Sequence, residues 1–201
     1  MLNRNILLRL AAVLIAALFG LRLTIEPAAA AQFDFGALEP STLFVQAAAG
    51  DQRTQSYVGG ATWDWNWDKQ YSFMTATGYF EAAGGRWSTR DSGVTSSTWA
   101  TQVGVTPVIR LHPAARFSSW FAELGVGANY IVPLYRTDHK RFSTEFNFGD
   151  DFAIGRLFGE RRQHELVLRL EHFSNAGIGH PNPGENFVQL RYAYRLWRHP
   201  I

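Results

Sequence analysis

After residue 31 the chain consists mainly of segments in which apolar and polar residues alternate one by one. In ATWDWNWD, for example, the side chains that share one face are Trp63, Trp65 and Trp67. A period of two residues is that of a β-strand with one apolar face. The alternation recurs in TWATQVGVTPVIRL, WFAELGVGANY, LVLRLE and NFVQLRYAYRL, and turn-forming stretches such as HPAAR, RTDHKR and AGIGHPNPGE separate the segments. The pattern predicts about eight antiparallel strands, an even number as outer-membrane barrels have.

The polar faces of these strands distinguish a membrane barrel from a soluble one. Glu165, Arg169 and Glu171 share a face of one strand, and Arg191 and Arg195 share a face of the next. A small membrane barrel turns its polar face inward, where charges must pair, and opposite signs on adjacent strands suit that arrangement. Lysine is rare, and Trp and Tyr flank the apolar faces as in interface belts. We therefore predict an all-β, eight-stranded antiparallel transmembrane barrel of the outer membrane.

Two strands alternate less regularly, those around Tyr71 and Phe146. In the second of them, the segment FGDDFAIG is predicted to contain a β-bulge, which leaves its register open.

The first 31 residues have the pattern of a cleaved signal peptide. Arg4 and Arg9 precede and enter the apolar run LLRLAAVLIAALFGL, and the small-residue stretch EPAAAAQ follows it. The apolar run is short for a membrane span of ~20 residues. We predict cleavage near Ala30 or Ala31, so that residues 1–31 are the signal peptide and residues 32–201 form one barrel domain.

Composition excludes several classes of protein. The chain has no cysteine, so an exported domain of this kind is not held by disulfides. The formal net charge of +2 is slight and gives no indication of nucleic-acid binding. The six histidines show no metal-ligand spacing, and we predict neither a metal nor a cofactor.

The seventh strand carries the candidate chemistry. Continuing the leucine face of LVLRLEHFSNAG brings His172 and Ser174 onto it, with their Cβ atoms ~6.5 Å apart along the strand. A polar pair on a lipid-facing surface costs free energy and suggests a use. A serine nucleophile needs a base, and the base needs a third group that orients it. Glu185 and Asn186 in the following segment are the two candidates for that third group.

The residues after the serine are candidates for the oxyanion hole. Backbone N–H groups just beyond a nucleophile can stabilise a tetrahedral intermediate. The candidate donors are Asn175, Ala176 and Gly177. With the N-terminus in the periplasm, an odd seventh strand runs outward, so the turn NAGIGHPNPGE lies at the cell surface.

The run HFSNAGIGHPNPGEN, followed by an alternating terminal strand, resembles the PagL family of outer-membrane lipid A 3-O-deacylases. The matching positions are His172, Ser174, Asn175, Ala176, Gly177, Pro181, Asn182 and Gly184. The resemblance implies a Gram-negative outer-membrane barrel with its site on the outer wall, lipid A of lipopolysaccharide as substrate, Ser174 as nucleophile and His172 as base. In the family, an acidic residue is the third member of the catalytic triad. Aligned with this sequence without a gap, that residue corresponds to Asn186, and Glu185, one position earlier, remains the alternative third member.

Two other classes fit the same alternation. One is a non-enzymatic small outer-membrane barrel, structural or adhesive. The other is a soluble secreted barrel whose apolar strand faces point inward and bind a hydrophobic ligand. The sequence also leaves a homodimer open. In the third outer loop, Arg136, Lys140 and Arg141 attract anionic lipopolysaccharide or are merely solvated, and His180 in the outer turn is interpreted as a solvated loop residue.

Overall fold

A computed structural model describes residues 39–89, 98–114 and 118–196, so the predicted signal peptide lies outside the described residues. The described chain is all-β apart from one short 3-10 turn, Asp51–Arg53. Its strands are β1 Thr42–Gly50, β2 Gln55–Gln70, β3 Met74–Thr89, β4 Thr98–Pro113, β5 Trp120–Val132, β6 Phe146–Phe158, β7 His164–Ser174 and β8 Glu185–Arg195. In these three ranges, no helix is long and apolar enough to cross a membrane.

Each strand pairs antiparallel with the next one, and β8 pairs with β1, which closes the sheet into a barrel. The predicted fold class is thereby confirmed. We call the end at which the odd-numbered strands finish the upper end. It contains Gly50 at the end of β1 and Ser174 at the end of β7.

The outer wall of the barrel is apolar. On β7 the exposed fractions of Leu166, Leu168 and Leu170 are 47%, 55% and 53%, while Val167 between them is 1% exposed. Val188 on the next strand is exposed to the same degree, 54%. A continuous exposed apolar surface of this kind is typical of a lipid-facing barrel and not of a soluble one. The prediction that the apolar strand faces point outward is therefore correct. The alternative of a soluble ligand-binding barrel, whose apolar faces would point inward, is wrong.

The predicted bulge in FGDDFAIG is also wrong. Strand β6 pairs in continuous register with β5 over residues 146–156 and with β7 over residues 148–158. The irregularity lies instead in β2, whose register against β3 shifts between Asp64 and Asp68. Regular alternation along β6 places Asp151 in the lumen, 3% exposed, and turns Asp150 to the outer wall.

Buried charges fill the middle of the lumen. Glu81 accepts hydrogen bonds from Arg191 at 2.6 and 2.8 Å and from Arg169 at 3.3 Å. Arg110 donates two hydrogen bonds to Glu165, at 3.0 and 2.7 Å. The predicted inward charges do pair, but most of these bonds join strands on different sides of the barrel and not immediate neighbours. Cross-lumen pairing of this kind ties the wall together without disulfides.

An aromatic plug fills the lumen at the upper end. Its members are Trp87, Tyr135, Phe142, Phe173 and Phe187. Trp87 lies at the centre, with ring-centroid distances of 4.9 Å to Phe173 and 4.8 Å to Phe187. Tyr135 and Phe142 come from the loop between β5 and β6, residues 133–145, which therefore folds into the mouth of the barrel. The plug packs directly behind the upper ends of β7 and β8.

The lumenal charges give a prediction about stability. Glu81→Ala leaves Arg169 and Arg191 buried without their shared carboxylate, and breaking a buried pair from one side costs about 3–5 kcal/mol. We expect the unfolding midpoint in urea, measured on the folded barrel in detergent, to fall markedly. Glu39→Ala, at the exposed lower end, is the control and should leave the midpoint unchanged. An unchanged midpoint for Glu81→Ala would contradict a stabilising role for the network.

Candidate active site

Three polar side chains meet on the apolar outer wall near the upper end. His172 and Ser174 share the outward face of β7, and Asn186 lies directly opposite His172 on β8. The Nδ1 atom of His172 lies 2.7 Å from the Oδ1 atom of Asn186. All three side chains are half-buried, so the group is neither fully open nor enclosed.

The hydrogen bond to Asn186 selects one tautomer of the imidazole. An amide oxygen only accepts, so the proton of neutral His172 sits on Nδ1. The other ring nitrogen, Nε2, is then unprotonated and able to accept a proton. A histidine oriented in this way is prepared to act as a general base.

Ser174 is the last residue of β7, two positions beyond His172 on the same face. In the described part of the chain, Ser174 Oγ and the His172 ring are not hydrogen bonded to each other. Contacts between a nucleophile and its base are often looser before the substrate binds, so the shared face and the two-residue spacing are the relevant geometry.

The turn after Ser174 is organised by one buried amide. Asn175 is 1% exposed, and its Nδ2 group donates to Ser143 Oγ and to the Gly179 carbonyl, both at 3.0 Å. Its Oδ1 atom accepts from the Gly177 N–H at 2.9 Å. Because Ser143 belongs to the 133–145 loop, this amide ties the turn to the loop that carries part of the aromatic plug.

The three candidate oxyanion donors differ in whether their backbone N–H groups already donate a hydrogen bond within the protein. The Asn175 N–H donates to Asn182 Oδ1 at 3.1 Å, and the Gly177 N–H donates to Asn175 Oδ1. The Ala176 N–H has no acceptor within the described residues, and Ala176 has a left-handed φ of 52°. Of the three groups, the one at Ala176 is thus available to a ligand in this conformation.

Glu185, the alternative third member, points the opposite way from Asn186. Its side chain is fully buried in the lumen, where Oε2 accepts from Tyr135 Oη at 3.0 Å and from Lys140 Nζ at 3.0 Å. Lys140 also bonds to Asp51 Oδ2 at 2.8 Å. The structure therefore brings Asn186 to the histidine and places Glu185 behind the wall.

The outer-loop cations do not share one environment. Burial lowers the pKa of Lys140, but its bonds to Asp51 and Glu185 outweigh that effect and hold the pKa above its ordinary value. Lys140 is thus a charged internal tether and not a free surface cation. Arg136 and Arg141 are exposed. They face each other in an isolated β-bridge of the same loop.

The remaining sequence candidates take no part in the group. His180 lies exposed in the turn that follows Ser174. Across the described ranges, no set of three or more His, Cys, Asp or Glu side chains is grouped as a metal site would require.

Sequence reasoning missed several supporting residues. Ser143 is far from the motif along the chain, and nothing in a local pattern indicates its contact with Asn175. The motif includes Asn182, but its role as acceptor for the Asn175 N–H needs the folded turn. Asp150 stands opposite His172 on β6. Strict alternation from Phe148 to Phe152 indicates its outward position, which the predicted bulge obscured.

Comparisons with known proteins agree with this architecture. The family model described as Lipid A 3-O-deacylase (PagL) matches residues 55–195. The chain is 32% identical over 137 residues to Lipid A deacylase PagL of Bordetella bronchiseptica, with 62% of this chain and 74% of that protein covered. It is 29% identical over 153 residues to Lipid A deacylase PagL of Pseudomonas aeruginosa, with 74% and 83% covered.

A solved structure shows the same fold. The crystal structure of the outer membrane enzyme PagL matches with a TM-score of 0.65 and 25% sequence identity, and the match covers 77% of this chain and 99% of that chain. Since the family model spans most of the described barrel, from β2 to the end of β8, the chain belongs to the PagL family of lipid A 3-O-deacylases.

Proposed function

We propose that this protein is a serine esterase of the outer membrane that hydrolyses the 3-O-linked hydroxyacyl chain of lipid A. The observation that carries the proposal is the imidazole of His172, which Asn186 orients on the apolar outer wall beside Ser174. Family membership supplies the substrate class. Export through cleavage near Ala30 or Ala31 belongs to the same proposal.

The first half of the reaction forms an acyl-enzyme. Ser174 Oγ attacks the ester carbonyl carbon while His172 Nε2 takes the hydroxyl proton. The carbonyl oxygen becomes an oxyanion, to which the Ala176 N–H donates. Collapse of this intermediate breaks the bond between the carbonyl carbon and the oxygen at position 3 of the sugar. His172 gives its proton to that oxygen, which leaves as the free hydroxyl of lipid A.

The second half releases the fatty acid. A water molecule attacks the acyl carbon and gives a proton to His172 Nε2, and the bond to Ser174 Oγ then breaks as the proton returns to the serine. The products are a hydroxy fatty acid and the regenerated enzyme. No redox partner or cofactor is consumed in either half.

The position of the site on the wall suits this substrate. The acyl chains of lipid A already lie in the outer leaflet, so a site on the lipid-facing surface reaches the ester without extracting the lipid. Few water molecules compete there for the oxyanion donors, and hydrogen bonds are stronger in such surroundings than in water.

Gly184 limits the space around the imidazole. It has a left-handed φ of +66°, and a Cβ atom there would lie 2.6 Å from Cε1 and 3.2 Å from Nε2 of His172. Contacts that short require the ring to move. We propose that the glycine keeps free the edge of the imidazole that exchanges protons with Ser174.

The proposed nucleophile and base are tested on lipid A itself. In cells that make 3-O-acylated lipid A, expression of the native chain should remove one hydroxyacyl mass from the lipid A mass spectrum. Ser174→Ala and His172→Ala should abolish the change, because either loss removes the attack on the ester. Folded protein with an unaltered lipid A spectrum for the native chain would overturn the proposed function.

The identity of the third group gives a second test. Asn186→Ala should lower kcat by about tenfold or more, because the imidazole loses the bond that fixes its tautomer. Glu185→Ala should lower activity less, since its carboxylate contacts Tyr135 and Lys140 and not the histidine. Initial rates on purified lipopolysaccharide in detergent provide the measurement, and the opposite order of the two variants would refute the assignment.

Gly184→Ala should lower kcat by about tenfold or more, since small displacements of a catalytic group are costly. Gly159→Ala is the matched control. Gly159 also has a left-handed φ, +87°, and a Cβ atom there would lie 2.7 Å from Cδ2 of another histidine, His164, at the lower end. Both variants carry a backbone penalty of roughly 1–2 kcal/mol, but only Gly184→Ala disturbs the site. Equal activity losses in the two folded variants would mean that stability alone explains the effect.

A further inference from the structure

Arg156 is a cation on the apolar outer wall, close to the lower end of β6. It is exposed on the outward face of the strand, between Ile154 and Phe158 on the same face. Its cross-strand partners are Trp120 on β5 and Leu166 on β7. None of these four neighbours carries a charge.

The guanidinium group of Arg156 is held in place but not neutralised. Its Nε atom donates to Ser119 Oγ at 3.4 Å, and the group lies 5.6 Å from the ring centroid of Trp120. Within the described residues, the structure gives Arg156 no ion pair, and its two terminal nitrogens donate no hydrogen bond. A charge beside lipid is costly unless a partner offsets it. The planar fork of an arginine matches the oxygen atoms of a phosphate, so an anion of that kind is the partner that fits.

A second arginine contacts the same short segment. Arg162, in the turn between β6 and β7, donates from Nη1 to the carbonyl oxygen of Ser118 at 3.3 Å. Ser118 precedes Ser119, the partner of Arg156, so both guanidinium groups are anchored just before β5. Residues 156–163 contain three arginines and one glutamate. Positive charge is therefore in excess here, and it attracts an anion.

Aromatic side chains place the two arginines at the level of the lipid headgroups. Phe158, His164 and Tyr192 form a cluster on the outer wall one step below Arg156, with the rings of Phe158 and His164 stacked at a centroid distance of 5.2 Å. Tyr192 Oη lies 2.7 Å from His164 Nδ1. On the other side of the arginine, Trp120 is exposed. Trp and Tyr side chains collect at the headgroup level of a membrane barrel, so Arg156 lies at the depth of lipid phosphate groups.

The leaflet follows from the orientation of the barrel. The candidate active site lies at the upper end of the same wall, where it is proposed to meet lipid A in the outer leaflet. The lower end therefore lies in the periplasmic leaflet, which consists of glycerophospholipids and not of lipopolysaccharide.

We propose that Arg156 and Arg162, together with the 118–120 segment, bind the phosphate group of an acidic glycerophospholipid in the periplasmic leaflet. The terminal nitrogens of Arg156 donate to phosphate oxygens, while the acyl chains lie along the exposed side chains of Ile154 and Leu168 above it. An acidic lipid binds better than a zwitterionic one, because two cations face one headgroup. This inference goes beyond deacylation and rests on the proposed function only for the choice of leaflet.

The test measures lipid binding to the folded barrel in detergent. Native mass spectrometry gives an apparent Kd for dioleoyl phosphatidylglycerol, which is acidic, and for dioleoyl phosphatidylcholine, which has the same chains and no net charge. We expect the native chain to bind the acidic lipid at least about tenfold more tightly. Arg156→Gln and Arg162→Gln should each weaken that binding about fivefold, the contribution of one basic residue near an anionic lipid. The double variant should lose the preference.

Matched controls separate this site from general charge attraction. Lys69→Gln also removes a cation at the lower end, from β2 on a different part of the barrel, where the ammonium group lies over the ring of Tyr71. This variant should leave both Kd values unchanged. Inorganic phosphate supplies the anion without acyl chains and should not displace the lipid at equal concentration. Urea unfolding in detergent verifies that every variant is folded.

The outcomes distinguish this inference from the proposed function. Equal Kd values for the two lipids, or a loss as large in Lys69→Gln as in Arg156→Gln, would refute the lipid site and leave the esterase intact. Displacement of the lipid by inorganic phosphate would equally refute the lipid site. A native chain that selects the acidic lipid but leaves lipid A unaltered would support this inference and refute the esterase, because binding requires no hydrolysis.

Discussion

Closure of the sheet in contact with lipid leaves each strand residue only two directions. It points either into a lumen narrow enough for side chains to fill or out to apolar surroundings where polar groups are costly. Because every strand is paired on both sides, no edge is available to relax this alternation. The arrangement of the molecule depends on this constraint. Inward charges must find each other across the lumen, as Glu81 and Arg191 do, and outward polar groups require a specific reason to be there.

The same constraint links the stable interior to the chemistry on the wall. Phe173 and Phe187 belong to the aromatic plug, and each is a chain neighbour of a polar residue that faces outward, His172 and Asn186. Immobilising the inward side chains immobilises the backbone that presents the outward ones. The 133–145 loop contributes from two directions, through the rings it adds to the plug and through Ser143, which accepts a hydrogen bond from Asn175. The site is thus on the surface, but its rigidity comes from the lumen.

Much of this arrangement could be predicted because it is periodic or local. The two-residue alternation of a β-strand was enough to place His172 and Ser174 on the outward face. The same alternation put Glu185 and Asn186 on opposite faces, and its repetition along the chain predicted the antiparallel barrel. Register between strands distant in sequence could not be obtained in that way. The pairing of Arg191 with Glu81 across the lumen and the contact of Ser143 with Asn175 join residues far apart along the chain. The error at FGDDFAIG had a different cause. The residue types there alternate less regularly, because Asp150 and Asp151 are both polar, but the burial of successive side chains along the strand alternates without interruption.

The filled lumen has a consequence for the membrane in which such a protein resides. Trp87 is completely buried, Arg169 and Glu165 are nearly so, and Lys140 fastens the upper loop to Asp51 and Glu185. Among the described residues, these side chains fill the middle and the upper end of the lumen, where solutes would otherwise pass. We therefore expect a membrane that contains this protein to keep its permeability barrier to ions and small solutes.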